Sequence, residues 1–331
     1  MKYSVIVPVF DRPQEVEELL NSLAAQVSMD FELVIVEDGS TERCDDVLAS
    51  FSDILQIRYF FKENSGPGDS RNFGMEKARG EYLIFFDSDC LIPADYFQKL
   101  DTFLDAHPEV DVFGGSDGQH QSFSKIQKAI NYAMTSFITT GGIRGNKKHI
   151  GKFEPRSFNM GFTKEVYKKV GGFATVHPGE DPDLSIRIVK AGFTSSLVPD
   201  LYVYHKRRID WSKFAKQVYK FGVVRNILIR WHPGTFKYVF ALPSIFLWSS
   251  VGLILLAILV SWWFMVPLVV LAFVIWIDAW MKTKDLSISL LACAASFIQL
   301  WGYGWGFTRS FVALHILKRN ERQAFPAFFF D

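Results

Sequence analysis

The chain has 331 residues, 49% of them hydrophobic and 21% charged, with a formal net charge of +1. That length suits one large domain or two modest ones, and the balanced charge excludes the strongly basic profile of a nucleic-acid binder. The three cysteines, Cys44, Cys90 and Cys293, are scattered without disulfide or metal spacing, which suits a reducing compartment.

The first ninety residues alternate as βαβαβαβ, which predicts a largely parallel sheet flanked by helices. Met1 leads almost directly into an apolar strand, Ser4 to Phe10, so no secretory signal is expected before it. Asp11 and Pro13 look like a cap and first-turn pair for a helix whose apolar positions are Val16, Leu19, Leu20, Leu23 and Val27. Strands follow at Phe31 to Val36 and Ile57 to Phe61, separated by a helix through Val47, Leu48 and Phe51. A Gly66-Pro67-Gly68 turn opens a third helix, and Glu81 to Phe86 forms a fourth strand running into Asp87-Ser88-Asp89. In doubly wound sheets, ligands gather at the carboxyl ends of strands, where Asp11, Asp38 and the Asp87/Asp89 pair all fall.

Further along, the pattern predicts a strand at Val110 to Gly115, a helix from Phe123 to Thr140 and a mobile loop from Gly141 to Gly151. Phe158 to Phe162 reads as a strand and Lys164 to Val170 as a helix. Asp181-Pro182 looks like the cap of a helix that stops at Gly192, and Leu197 to His205 is a last strand.

The composition then changes. Between Lys206 and Lys237 there are nine Lys or Arg against one acid, Asp210. Trp211, Phe214, Val218, Phe221, Leu228 and Trp231 share one helical face there, a pattern that fits a basic amphipathic helix in the membrane interface. An ordinary helix packed on the preceding domain fits it too. Tyr238 to Ile277 contains no Asp, Glu, Lys or Arg, enough chain to cross a bilayer core of about 30 Å twice. Leu286 to Thr308 could cross once more. The expected organisation is a cytoplasmic domain over 1–205, a juxtamembrane segment over 206–237, and a membrane region over 238–331 with spans near 238–259, 263–281 and 286–308. Basic residues mark the cytoplasmic side and favour anionic headgroups, so the chain reads as a multi-pass protein of the plasma (bacterial inner) membrane. Three full spans would strand Lys318, Arg319 and Arg322 outside, whereas a re-entrant fold around Gly302-Tyr-Gly-Trp-Gly306 would return them; both readings stay open.

Two carboxylates one residue apart at the end of a buried strand repel unless a cation is present, and a hard ion completed by diphosphate oxygens suits them. The glycine turn before Arg71 adds a helix start and a cation, both of which favour anions.

The segments Ser4-Val-Ile-Val-Pro-Val-Phe10, Val36-Glu-Asp-Gly-Ser40, Gly68-Asp-Ser-Arg-Asn-Phe-Gly74, Phe85-Phe-Asp-Ser-Asp89, Asn159-Met-Gly-Phe162, Gly171-Gly-Phe173 and Gly179-Glu-Asp-Pro-Asp-Leu-Ser185 occur in an informative order and spacing. Together they resemble the inverting family 2 glycosyltransferases of GT-A fold, over roughly residues 1 to 230. The resemblance implies a GT-A-like, doubly wound α/β domain that binds a nucleotide-sugar donor of uridine type. On it, Asp38, and with it Asp11, would meet the base and ribose, with Pro8, Phe10, Arg71 and Glu180 also binding substrate. Asp87 would face the ribose or metal, and Asp89 would hold Mn²⁺ or Mg²⁺. His205 would complete the metal shell or meet the leaving diphosphate, and Asp181 would be the general base. Processive members carry Gln-x-x-Arg-Trp, where this chain has Gln217-Val-Tyr-Lys-Phe221, so transfer of one sugar is expected. The acceptor is expected to be a lipid-linked saccharide or other glycan at the membrane. Direct charging of polyprenyl phosphate is the first alternative, and a catalytically idle membrane scaffold that keeps a nucleotide pocket is the second.

Overall fold

The computed structural model describes residues 1–118, 123–141, 153–205 and 210–330. The expected loop at Gly141 to Gly151 and the start of the basic segment, 206–209, lie outside these. The chain divides into two compact units: Met1–His120, Gly151–Lys206 and Phe329–Asp331 form the first, and Gln121–Ile150 with Arg207–Phe328 the second. This differs from the three segments expected, because the piece around residues 123–141 leaves the first unit and the last residues rejoin it.

The first unit opens with β1 (Tyr3–Val9), α1 (Pro13–Ala24), β2 (Phe31–Asp38), α2 (Asp45–Ala49), β3 (Ile57–Lys62), α3 (Pro67–Lys77), β4 (Tyr82–Phe85), β5 (Cys90–Leu91), α4 (Tyr96–Ala106) and β6 (Val112–Gly118). In the second unit come α5 (Lys125–Thr135) and α6 (Phe137–Thr140). The one helix expected here is broken at Ser136, whose hydroxyl accepts from the Ile138 amide and so starts a new turn. The first unit resumes with β7 (Met160–Thr163), α7 (Lys164–Val170), α8 (Glu180–Lys190) and β8 (Ser195–His205). The sheet runs β3-β2-β1-β4-β7-β6-β8-β5. β3, β2, β1 and β4 are parallel, as the alternating pattern predicts, while β7 is antiparallel to both its neighbours.

Alternation along the strands fills both faces. Tyr3, Val5, Val7 and Val9 join Leu33, Ile84 and the α1 stripe Val16, Leu19, Leu20 and Leu23 in one core. Ile6, Val34, Val36, Leu83 and Phe85 point the other way, onto Met75 of α3, Val166 of α7 and Leu184 of α8. Strands buried on both faces read as unbroken apolar runs, which is why β1 and β2 are legible as strands at all. Pro13 opens α1, as its fixed φ allows, but Asp11 does not cap it. Asp11 turns away at φ +50° and accepts from the Thr41 and Glu42 amides instead.

The second unit continues with α9 (Trp211–Trp231), α10 (Leu242–Leu259), α11 (Val266–Thr283), α12 (Leu286–Phe311) and α13 (Glu321–Ala324). α12 is continuous through Gly302-Tyr-Gly-Trp-Gly306, so these glycines make no re-entrant turn. They let helices touch: a Cβ at Gly306 would run into the Tyr219 carbonyl of α9, and one at Gly304 into the Pro243 carbonyl of α10. Gly222 of α9 meets the Tyr303 carbonyl in the same way. α5 packs Ala129 and Tyr132 on Ile275, Ala279, Ile288 and Ala292, and the Tyr132 hydroxyl donates to Asp278 at 2.6 Å. Three helical segments, Leu242–Leu259, Trp262–Thr283 and Leu286–Ile316, are long and apolar enough to cross a membrane.

Candidate active site

The parallel strands β2, β1 and β4 deliver their carboxyl ends side by side, and the crevice beyond them collects the acids. Asp87 and Asp89 follow β4 directly. β5 then pairs antiparallel with β8, Cys90 against His205, and this register brings the imidazole to Asp89. His205 Nε2 lies 3.2 Å from Asp89 Oδ1 and 3.9 Å from Asp87 Oδ2. Phe158 stacks on the imidazole at 5.0 Å between ring centroids and limits its tilt.

Two cations flank the acids. Arg12, just past β1, reaches Asp89 Oδ2 at 2.6 Å. Arg71, buried in α3, donates to Asp87 Oδ1 at 2.6 Å and to Glu180 Oε1 at 3.2 Å. Glu180 also has His177 Nδ1 at 3.2 Å from each of its oxygens. An unbroken charged chain therefore links His177, Glu180, Arg71, Asp87, His205, Asp89 and Arg12. Burial alone would raise the Asp89 carboxyl, but His205 and Arg12 outweigh it and hold it well below the usual carboxylate range. Burial raises Glu180 likewise, and His177 and Arg71 overcome it to bring the group down to about 2. For His205 burial lowers the pKa, while Asp89, Asp117 and Asp87 together raise it above the ordinary value.

Asp89 Oδ1 is buried and has no hydrogen-bond partner, so its approach to His205 is one of charge without hydrogen-bond alignment. A buried carboxylate oxygen without an aligned hydrogen bond is costly unless a cation meets it. Asp89, Cys90 and His205 can bring one ligand atom each within 4.8 Å of one another. Burial and the adjacent acids push the Cys90 thiol well up, so it stays protonated and is a poor ligand for a hard ion. What remains, carboxylate oxygen and imidazole nitrogen with Asp87 beside them, fits a divalent cation such as Mn²⁺ or Mg²⁺.

The other expected residues fall around this centre. Asp181 lies in the first turn of α8, which starts two residues earlier than a capping Asp181 requires, from Gly179 at φ +128°. Its Oδ2 is 3.8 Å from Arg156 Nη1. Asp38 is buried and already accepts from Lys62 Nζ, at 2.6 Å, and from the Ser65 and Gly66 amides, so it fixes the loop entering α3. Phe10 is exposed at the end of β1 and Pro8 half-buried within it. Gln217 to Phe221 lies inside α9 of the second unit, where Phe221 packs on the cluster around Phe214 and Ala295.

Three cations in this crevice escape sequence reasoning: Arg12, Arg156 and, when protonated, His177. The available signal is slight, a cation beside an acid-lined strand end for Arg12 and a histidine three residues before Glu180 for His177. A further surprise is the chain's last stretch. Phe329 bridges to Val176, the Phe330 amide donates to the Thr175 carbonyl, and the Phe330 ring lies against Gly66.

The sequence profile of glycosyl transferase family 2 matches residues 4–171. An uncharacterized glycosyltransferase of Rickettsia felis is 32% identical over 145 residues, which cover 44% of this chain and 23% of that protein. Poly(ribitol-phosphate) beta-N-acetylglucosaminyltransferase TarS of Staphylococcus aureus is 36% identical over 111 residues, 32% of this chain and 19% of that one. The chain thus spans less than a quarter of these relatives. Among solved structures, the mannosyltransferase PcManGT of Pyrobaculum calidifontis, in complex with GDP-Man and Mn²⁺, superposes with a TM-score of 0.64 at 18% identity, over 89% of this chain and 86% of that one. That likeness carries the fold: a mixed α/β sheet of GT-A type followed by apolar helices.

Proposed function

The chain belongs to glycosyl transferase family 2, and from that premise we propose that it moves a single sugar, with inversion, from a nucleotide diphosphate donor to a saccharide acceptor held at a membrane. The reading rests on one observation above others: the orphaned, buried Asp89 Oδ1, with His205 and Asp87 beside it at the carboxyl ends of a parallel sheet. Asp89, Asp87 and His205 would hold Mn²⁺ or Mg²⁺, with the two carboxylates supplying the hard oxygen ligands such ions prefer. When bound, such an ion supplies Lewis-acid stabilisation to the charge that builds on a departing diphosphate.

The chain's own residues divide the remaining work. Asp181 accepts the proton of the acceptor hydroxyl as its oxygen bonds to the anomeric carbon, and the bond from that carbon to the diphosphate oxygen breaks on the opposite face. Arg12 pairs with Asp89 and Arg71 with Asp87, each at 2.6 Å, so both carboxylates are oriented before donor arrives. Asp38 fixes the loop at Ser65 and Gly66, whose place beside the sheet ends suits the nucleoside. TarS has also been solved with UDP-GlcNAc, a structure of 0.52 TM-score and 19% identity to this chain, which supports a uridine donor as the first to try.

The lipid side of the proposal rests on the apolar helices and the nine basic residues before them, which would hold the site near anionic headgroups. The deciding experiment incubates purified protein with a panel of nucleotide-sugars, Mn²⁺ or EDTA, and lipid-linked saccharide. Metal-dependent release of nucleoside diphosphate with a lengthened saccharide supports the reading. Sugar found directly on polyprenyl phosphate would replace the acceptor, and no release with any donor would sink the proposal.

A further inference from the structure

Three apolar helices follow Lys206, yet at Phe329 the chain is back in the first unit. Phe329 and Phe330 belong to it, held by the bridge to Val176, the hydrogen bond to Thr175 and the ring seated on Gly66. A chain that leaves a compartment at His205 and is back in it at Phe329 crosses any bilayer an even number of times. Recrossing between Phe311 and Phe329 is closed to it, because that stretch carries Lys318, Arg319, Glu321 and Arg322, each expensive in hydrocarbon.

A second observation points the same way. α9 runs parallel to α12 along most of its length: Phe214 meets Ala295, Val218 meets Gly302, Asn226 donates to the Phe307 carbonyl at 3.0 Å and to Ser310, and Arg230 to the Arg319 carbonyl at 2.6 Å. α9 carries Lys213, Lys216, Lys220, Arg225 and Arg230 and cannot itself cross. A helix strapped to it this closely is not a free span. α10 and α11 are different, with only 6% and 17% of their apolar windows buried against 33% for α12.

The exposed side of α12 is a stripe. Leu286, Leu290, Trp301 and Trp305 are 38% to 56% exposed, and at about 100° per residue they fall within an arc of about 100°. Ala295, Gly306 and Ser310, which face α9, lie outside that arc. Apolar side chains with two tryptophans on one face and a basic helix behind them suit the headgroup boundary of a bilayer.

We infer that the chain crosses the membrane twice, through α10 and α11 alone, and that α12 lies with α9 along the bilayer surface on the side of the first unit. The inference rests on the membrane reading above and deepens it. It places Lys282, Lys284, Lys318, Arg319 and Arg322 on one side, as the positive-inside rule asks. It also puts both ends of the two-helix anchor on the same side of the membrane as the first unit.

The test uses the full chain in sealed membrane vesicles, with Cys293→Ala as background because Cys44 and Cys90 are buried. Single reporters Asp53→Cys in the first unit, Trp262→Cys between α10 and α11, and Gln323→Cys in α13 are treated with a membrane-impermeant maleimide from either face. Asp53→Cys and Gln323→Cys should label from one face and Trp262→Cys from the other. Labelling of Gln323→Cys from the face opposite Asp53→Cys would mean an odd number of crossings and overturn the inference, as would labelling all three from one face. Release of the chain by alkaline carbonate would overturn the membrane reading itself, whereas a retained chain with the wrong labelling overturns only the two-crossing arrangement.

Discussion

Arg71 places one guanidinium nitrogen 2.6 Å from Asp87 and another 3.2 Å from Glu180, so a single buried cation ties the acids after β4 to the acids that begin α8. Neither pair is adjacent in sequence, and both acids lose their guanidinium partner together if Arg71 goes. Removing one partner of a buried ion network costs about 3–5 kcal/mol. Arg71→Ala should therefore lower the unfolding free energy of the protein by about that amount in urea titrations and abolish turnover as well. Arg71→Lys keeps the charge but cannot fork to both acids, so it should recover stability better than it recovers kcat.

Asp89 carries the metal proposal. In isothermal titration with Mn²⁺ and UDP, Asp89→Asn should weaken metal binding by at least about 10–100-fold, the range seen even for groups that only orient ligands. His205→Ala should weaken it as well while leaving Asp89 in place. Unchanged Mn²⁺ affinity in both variants would refute the assignment.

If Asp181 is the base, as proposed, Asp181→Asn should bind donor and metal normally while turnover falls by about 10²–10⁴-fold. A variant of full activity would point to another base, and a parent chain with no turnover on any donor would point to the idle scaffold considered among the alternatives. Donor affinity should be read by titration alongside kcat to separate binding from chemistry.

Glu32, far from the crevice, gives a stability test. Burial raises its carboxyl, but the Ser4 hydroxyl, the Arg79 amide and Arg58 bring it below the ordinary 4.5. A carboxyl depressed in the folded state adds stability that is complete above 4.5 and fades as pH falls from there through the lower folded value. Glu32→Gln should cost about 1–3 kcal/mol at neutral pH. It should also flatten the loss of stability on acidification below 4.5, as read by denaturant midpoints across pH.

The glycines of α12 should behave unequally. A Cβ at Gly306 meets the Tyr219 carbonyl, whereas Gly252 of α10 has nothing within 4 Å. Gly306→Leu should lose about 1–3 kcal/mol from overpacking, seen as a lower unfolding temperature in detergent, with Gly252→Leu close to the parent.

Much of this was legible in the sequence for reasons that can be named. β1 and β2 are buried on both faces and so stand out as apolar runs, and Asp38, Asp87 and Asp89 could be placed because a parallel sheet ends its strands on one side. His205 was legible only through its likeness to known enzymes, since its approach to Asp89 depends on the pairing of β5 with β8, and a two-residue strand leaves no periodic trace. Asp11 misled as a helix cap because nothing local shows that its carboxylate would reach across to Thr41 and Glu42. Arg12 and His177 left little signal because the partners that define them, Asp89 and Glu180, are set by the sheet and by the entry into α8. The course of α12 was hidden for another reason: glycines that close two helices together look, in one dimension, like glycines that turn a chain.

The pairing of Cys90 with His205 also sets a sequence of events in time. β8 is the last strand of the sheet to be synthesised, and a domain folds as a unit. A chain made only as far as β7 carries Asp87, Asp89, Arg12 and Arg71 but lacks both His205 and the strand against which β5 pairs. On the metal assignment above, the ion's full set of ligands is therefore completed by the last strand to join the sheet.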